Sequence, residues 1–312
     1  MSKIFTSWTK KLIRDFKSGI FIAEHNLHED PLFTDAALLS LLKKHPPELS
    51  MVYAMPRRQG GEKSFREGDF ANRTPEEIWQ AVEKGRLWVQ LLQLNKVHAE
   101  FEDLEKRIIR EMKQRIPGYF PTKCKFSLLI SSPGINVSYH ADIPRNALWH
   151  LRGEKRVYIY PATEKFLPDE ELEDICLGVR QESIPYKHSF DDDAFVADLK
   201  PGQVATWPVN APHRIENGDM LNVSMVMEYF EPHALLKYGV YYFNGILRRY
   251  FGRQPRSTGY RGPLAAMKLA AALLFKKINL LKTQSRPRYL TFAIDPFSPG
   301  GFVEIERKPR EH

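Results

Sequence analysis

The residues best placed to do chemistry are His140 and Asp142, in the run Tyr139-His-Ala-Asp142, and His213, in Ala211-Pro-His213. Residues two apart in a strand point to the same face, so an extended segment here projects an imidazole and a carboxylate together. A second imidazole completes a set of two histidines and one carboxylate. That set fits one face of an octahedral non-haem Fe(II) and leaves three positions open. Spacing alone is weakly diagnostic, because HxD runs are common and the chain has 10 histidines. The elements that carry these residues must decide the matter.

Eight short apolar runs between Lys125 and Phe230 read as strands: 126–131, 136–140, 147–151, 156–160, 195–199, 203–207, 213–216 and 221–229. Ser132-Pro-Gly134, Pro161, Lys200-Pro-Gly202 and Asn217-Gly-Asp219 supply turns between them. Many short strands with regular turns indicate a sandwich or barrel. His140 lies at the end of the second run and His213 opens the seventh. Lys155 lies at the start of the fourth, 15 residues after His140. A keto acid that chelates the metal through one end leaves its far carboxylate deep between the strands, where a cation must meet it. Lys155 is either that cation or a solvated turn lysine beside Glu154 and Arg156. One of Trp149 and His150 faces inward, and Trp149 reads as core. His188 and Asp191-Asp-Asp193 read as solvated loop residues.

The flanks read as helical. Asp35–Lys44 has helical apolar spacing and stops at His45-Pro-Pro47; Thr74-Pro-Glu-Glu77 opens a helix over 75–84, and another covers 98–115. Residues 87–94 read as a buried strand and 56–72 as a polar loop. The acidic insert 162–194 holds a short helix from Pro168, and helices follow at 235–250 and 263–282. The division expected is a helical flank over 1–120 that joins the barrel from about 85, a core over 121–232 and a basic helical extension over 233–312.

At 312 residues, with 43% hydrophobic and 27% charged side chains, the composition is ordinary for a globular chain and argues against disorder. The net charge of +8 is unevenly placed. From Lys237 onward there are 15 Lys and Arg against 4 Asp and Glu, a net +11, and the preceding 236 residues carry −3. No DNA- or RNA-binding motif accompanies that charge, so nucleic acid is not the expected partner. Cys124 and Cys176 fit no zinc spacing, and a reducing, cytoplasmic setting is expected. No run of 18 apolar residues exists, so no spanning helix is expected. The basic, amphipathic segment 263–282 suits packing against its own domain or a partner subunit, and contact with an anionic membrane surface is the competing reading.

Together, Ser131-Ser-Pro-Gly134, Tyr139-His-Ala-Asp142, Asn146, Gly153-Glu-Lys-Arg156, Tyr160-Pro161, Lys200-Pro-Gly202, Pro208 and Ala211-Pro-His213 resemble the JmjC/cupin-like oxygenases. The likeness is strongest to bacterial cupin-like proteins related to the asparaginyl hydroxylase that modifies hypoxia-inducible factor. It spans residues 85–230, and Asn244-Gly-Ile-Leu-Arg-Arg249 with Gly252 and Pro255 extends it. The resemblance implies a mainly β, double-stranded β-helix (jelly-roll) barrel between N- and C-terminal helices. It implies an Fe(II)- and 2-oxoglutarate-dependent oxygenase that hydroxylates a C–H bond of a protein side chain or a small molecule. His140, Asp142 and His213 would hold the metal, Lys155 the distal carboxylate of 2-oxoglutarate, and Asn146 would help to hold that co-substrate. The C-terminal helices would form a homodimer. Two positions depart from the pattern: Val137 replaces a hydroxyl residue, for which Ser138 or Ser224 would compensate, and Glu228 replaces an inward asparagine. These departures favour a second reading, a catalytically silent cupin-like binding module. A third is a metal-dependent cupin enzyme that does not use 2-oxoglutarate, against which Lys155 and Asn146 argue.

Overall fold

The computed structural model describes residues 3–54, 66–180, 184–278 and 288–310. The N-terminal third mixes helices with strands. Helix α1 (Lys10–Ser18) starts where Thr9 Oγ1 accepts from the Leu12 amide, and β1 (Phe21–Glu24) follows. Helix α2 (Asp35–Lys44) is capped by Thr34. After β2 (Ser50–Ala54) and β3 (Arg66–Asp69), helix α3 (Pro75–Lys84) opens with a reciprocal capping box between Thr74 and Glu77 and with Pro75 at its first position. Then come β4 (Leu87–Leu91), the single turn α4 (Leu94–Val97) and α5 (Ala99–Arg115), which buries Phe101, Leu104, Ile108 and Met112. The mostly helical flank expected over 1–120 is thus corrected by β1, β2 and β3. These strands have only four or five residues and gain their order from distant partners, β1 from a strand some 180 residues on. The loop expected over 56–72 gives way to β3 at 66–69, and residues 56–65 lie outside the described ones.

All eight expected runs are strands: β5 (Thr122–Ser131), β6 (Asn136–His140), β7 (Arg145–Arg152), β8 (Lys155–Ile159), β9 (Phe195–Leu199), β10 (Gln203–Thr206), β11 (His213–Asn217) and β12 (Asn222–Phe230). Helix α6 (Asp169–Leu177) sits in the acidic insert. Helices α7 (Pro232–Phe251) and α8 (Gly262–Lys277) follow, and residues 279–282 of the expected second helix lie outside the described residues. The chain then returns to strand in β13 (Tyr289–Ile294) and β14 (Phe302–Pro309). The all-helical extension is corrected accordingly. Its basic composition hid a hairpin whose Phe292 and Ile294 are buried against β3 and its surroundings.

The strands form two sheets. The larger has the order β1-β10-β7-β12-β5-β4-β2-β3-β13-β14, and the smaller β6-β11-β8-β9. Only the β3–β13 pairing is parallel among the described strands, so the large sheet is mixed. Strand alternation sorts the side chains. On β7, Ala147, Trp149 and Leu151 join the core beneath the N-terminal helices, whereas Leu148 faces the space between the sheets. There it meets Val157 and Ile159 of β8, Leu199 of β9, Ala205 of β10 and Ile215 of β11. A third cluster, including Tyr139, Tyr160, Ile175 and Tyr242, packs the outer face of the small sheet against α6 and α7. Apolar side chains from both sheets therefore line the inter-sheet space, and the polar residues that point into it stand out.

Candidate metal centre and buried lysine

His140 ends β6 and His213 opens β11, and the two are cross-strand partners. Their ring centroids lie 4.1 Å apart. Asp142 follows β6 and brings Oδ2 to 3.2 Å from His213 Nε2 and Oδ1 to 3.9 Å from His140 Nε2. One donor atom from each of the three residues falls within 4.8 Å of the others. Both imidazoles are set by backbone carbonyls: Nδ1 of His140 donates to the Ser138 carbonyl at 2.7 Å, and Nδ1 of His213 to the Ala211 carbonyl at 3.1 Å. A carbonyl can only accept, so Nδ1 of each ring carries a proton and Nε2 is the atom turned towards Asp142. Burial, with the neighbouring His213, lowers His140 to about 4, so the ring stays neutral. Two imidazole Nε2 atoms and a carboxylate form a donor set suited to a first-row divalent metal.

The carboxylate is steered too. Asn146, on the inward face of β7, donates from Nδ2 to Asp142 Oδ2. Asn210 donates from Nδ2 to the backbone carbonyl of Asp142 at 2.7 Å, and it holds a left-handed backbone with φ 61°. An asparagine tolerates that conformation better than most residues. Trp207, with its ring centroid 4.5 Å from that of His213, covers the remaining side of that imidazole.

The other end of the inter-sheet space holds Lys155. It is the first residue of β8, in register with Asn217 at the end of β11, and it is 5% exposed. Its Nζ donates to Asn217 Oδ1 at 2.8 Å, and Asn217 Nδ2 donates in turn to Ser131 Oγ at 2.8 Å. Among the described residues no carboxylate forms an ion pair with it, and burial lowers it to about 7. The solvated-turn reading of Lys155 is therefore incompatible with the structure. Beside it His150, fully buried, donates from Nε2 to the Gly153 carbonyl at 3.0 Å and accepts at Nδ1 from Ser224 Oγ at 3.2 Å. Burial and the Lys155 charge drive His150 down to about 3. Ser224 thus spends its proton on His150 and retains only acceptor capacity.

Of the remaining expected residues, Ser138 is half-buried at the β6 irregularity, where its carbonyl serves His140. Val137 packs against the inter-sheet core. Glu228 stands on β12 between Asn146 of β7 and Lys125 of β5. Burial and the Asp142 charge push it up to about 7. Trp149 is core, as expected. His188 is exposed and meets the Tyr186 ring edge-on. Asp191 is not simply solvated: it takes Arg214 at 2.7 Å and the Tyr160 hydroxyl at 2.5 Å. Sequence reasoning set His150 beside Trp149 without deciding which of the two faces inward, and passed over Asn210 and Asn217. Strand parity from Asn146 would have put His150 inward; nothing in the sequence marks the other two.

No family model matches the sequence. No curated protein matches it either. Solved structures do. The X-ray structure of Escherichia coli ycfD is 16% identical and aligns with TM-score 0.50 over 90% of this chain and 70% of its own. The crystal structure of the E. coli ribosomal oxygenase YcfD is also 16% identical, with TM-score 0.50 over 94% of this chain and 76% of its own. A structure of YcfD in complex with cobalt and 2-oxoglutarate aligns at 0.49 and 16% identity over 94% of this chain and 75% of its own. The mainly β architecture flanked by helices, with its large mixed sheet, is thus the fold of the ribosomal oxygenase YcfD.

Proposed function

We propose that this chain is an Fe(II)- and 2-oxoglutarate-dependent oxygenase of the JmjC/cupin-like kind, acting on a C–H bond of a protein side chain or a small molecule. In this reading β5, β7, β10 and β12 face β6, β8, β9 and β11 as the halves of a double-stranded β-helix. Residues 121–232 form the catalytic core and the two flanks brace it. The observation that carries the reading is a polarised interior: a two-histidine, one-carboxylate set at one end and, at the other, a buried lysine with no counter-ion among the described residues. β11 spans the two with His213 first and Asn217 last. At ~3.3 Å per residue that is ~13 Å between Cα atoms, and the four-carbon stem of Lys155 shortens it. A short dicarboxylate that chelates a metal and reaches the ammonium fits this arrangement. YcfD, which shares the fold, is a ribosomal oxygenase, and that favours a protein substrate. The absence of a spanning helix among the described residues accords with a cytoplasmic enzyme.

Bound Fe(II) and 2-oxoglutarate would supply the oxidising chemistry with O2. The chain's own residues bind and orient. His140, Asp142 and His213 hold the metal, and the carbonyls of Ser138 and Ala211 fix which nitrogen of each ring is free. Asn146 turns Asp142 and lies where it can also touch the co-substrate. Lys155, positioned by Asn217, neutralises the distal carboxylate, with Ser138 as a further polar contact; Ser224, its proton committed to His150, orients that ring instead. Val157, Ile159 and Ile215 keep water from the space between. Glu228 does not oppose the anion strongly near neutral pH, because much of it is protonated when raised to about 7. The direct test is succinate release from 2-oxoglutarate by the iron-loaded protein in air. Release that disappears in His213→Ala is expected. Tight 2-oxoglutarate binding without succinate in any substrate fraction would leave the binding-module reading instead.

A further inference from the structure

Along β6 two side chains share a face at a spacing that a regular strand forbids. Val137 packs into the inter-sheet core, and His140 points across to His213. Residues three apart on an uninterrupted strand face opposite ways. The register accounts for it. From His213 to Ile215 β11 advances two residues, while β6 runs three, from His140 back to Val137. The extra residue is a β-bulge at Ser138 and Tyr139, and it turns His140 inward. Without it the imidazole would face the outer surface of the small sheet, away from His213.

The bulge is held from outside. Tyr139, buried on that outer face, donates from its hydroxyl to the Phe166 carbonyl at 2.9 Å. Its own carbonyl accepts from the Ile184 amide at 3.4 Å, and its ring meets those of Tyr186 and Phe190. All four partners belong to the acidic insert 162–194. The same insert grips β11. Arg214, which follows His213, lies over the Tyr158 ring, its guanidinium carbon 3.3 Å from the centroid. Its Nη2 pairs with Asp191 at 2.7 Å. Its Nε donates to the Tyr160 hydroxyl at 2.9 Å, and that hydroxyl donates in turn to Asp191 at 2.5 Å. The insert therefore holds the residue before one histidine and the residue after the other. A guanidinium buried like that of Arg214 is seldom worth more to stability than an apolar filling; what its pairing with Asp191 gives is a fixed position.

We infer that Tyr139 and Asp191 are positioning residues of the metal centre: through them the insert holds the β6 bulge and the start of β11 so that His140 and His213 face each other. The inference rests on the reading of His140, Asp142 and His213 as the metal set. Both side chains lie on the outer face of the small sheet, so neither is a ligand. Tyr139 acts through the backbone it shares with His140, and Asp191 acts through Arg214.

Titration of the metal-free, full-length protein with Co(II), without 2-oxoglutarate, tests this by calorimetry and by the visible Co(II) absorption. Tyr139→Phe keeps the ring and loses the bond to Phe166. Asp191→Ala unpairs Arg214 at a half-buried position. Each is expected to weaken Co(II) binding roughly tenfold, the lower end of what groups outside the ligand set contribute. Each should also change the Co(II) absorption envelope, while the far-UV spectrum stays that of wild type. Asp193→Ala is the control. It lies in the same insert and loses only an exposed ion pair with Lys165, so its affinity and spectrum should match wild type. Unchanged affinity and spectrum in Tyr139→Phe and Asp191→Ala overturn the inference and leave the metal set standing. So does an equal loss in Asp193→Ala, because the insert then acts only by staying folded. Co(II) binding that survives His140→Ala unchanged overturns the metal set, and the inference with it.

Discussion

Replacing Lys155 by methionine should make the ligand-free protein more stable and the ligand-binding protein worse. The lysine is 5% exposed, with a neutral amide as the acceptor of its Nζ. Its pKa falls from 10.5 to about 7, which at ~1.4 kcal/mol per pH unit is a penalty on the order of 5 kcal/mol at neutral pH relative to an unperturbed lysine. The unfolded chain binds more protons than the folded one between those values. The penalty is therefore fully present below about pH 7 and fades as pH rises towards 10.5. Methionine has a similar stem and no charge, so Lys155→Met should recover part of the penalty, ~1–4 kcal/mol by analogy with other buried charges replaced by apolar groups. For a chain of this size ~1 kcal/mol is worth ~2–4 °C in Tm. The assay is a thermal melt of metal-free protein at about pH 7 and again at about pH 9, where the gain should shrink. In a second melt, Mn(II) and 2-oxoglutarate should raise the Tm of wild type; at a hundredfold excess over Kd the stabilisation is ~2.7 kcal/mol. The methionine protein should show no 2-oxoglutarate increment beyond that of the metal. A variant less stable than wild type in the metal-free state that still responds to 2-oxoglutarate would refute the reasoning, because the ammonium would then be a structural anchor.

Asp142→Ala should lower Fe(II) affinity in anaerobic titration by at least about tenfold, since two imidazoles alone remain; unchanged affinity would remove Asp142 from the set. The affinity for 2-oxoglutarate should fall from about pH 6 to about pH 8 as Glu228 ionises, and Glu228→Gln should flatten that slope, with any remainder due to Lys155. Parallel profiles for the two proteins by calorimetry would exclude Glu228 from the co-substrate's surroundings. Gly68→Ala should destabilise the protein by ~1–3 kcal/mol, because an added Cβ at Gly68 runs into the Phe292 ring. Urea titration with an unchanged midpoint would mean that the β3–β13 seam yields freely.

The core was legible because its strands are apolar, short and divided by Pro-Gly and Asn-Gly turns, so their order and parity follow from the residues alone. His140, Asp142 and His213 emerged from that parity, and so did Lys155 as a candidate. What decided between the two readings of Lys155 was burial, and burial depends on β9 and β11 lying on either side of it. The edges of the large sheet were not legible. β3 is Arg-Glu-Gly-Asp, with no apolar alternation, and it is a strand because β2 and β13 hydrogen-bond to it. Asn210 escaped notice for a similar reason: its task is to hold the carbonyl of a residue 68 positions away.

The large sheet is assembled from both ends of the chain, and this sets an order of events during synthesis. β3 has β2 on one side, but its other neighbour, β13, is made more than 200 residues later. Until the ribosome has delivered residues 289–294, β3 presents a bare edge, the kind of edge that invites pairing with another chain. The apolar pair Phe292 and Ile294 arrives late and closes that edge, and β14 becomes the new rim with Glu304, Glu306, Arg307 and Lys308 along it. A charged strand is a poor template for further growth. Messages cut short before the hairpin should therefore yield aggregates rather than a smaller working protein.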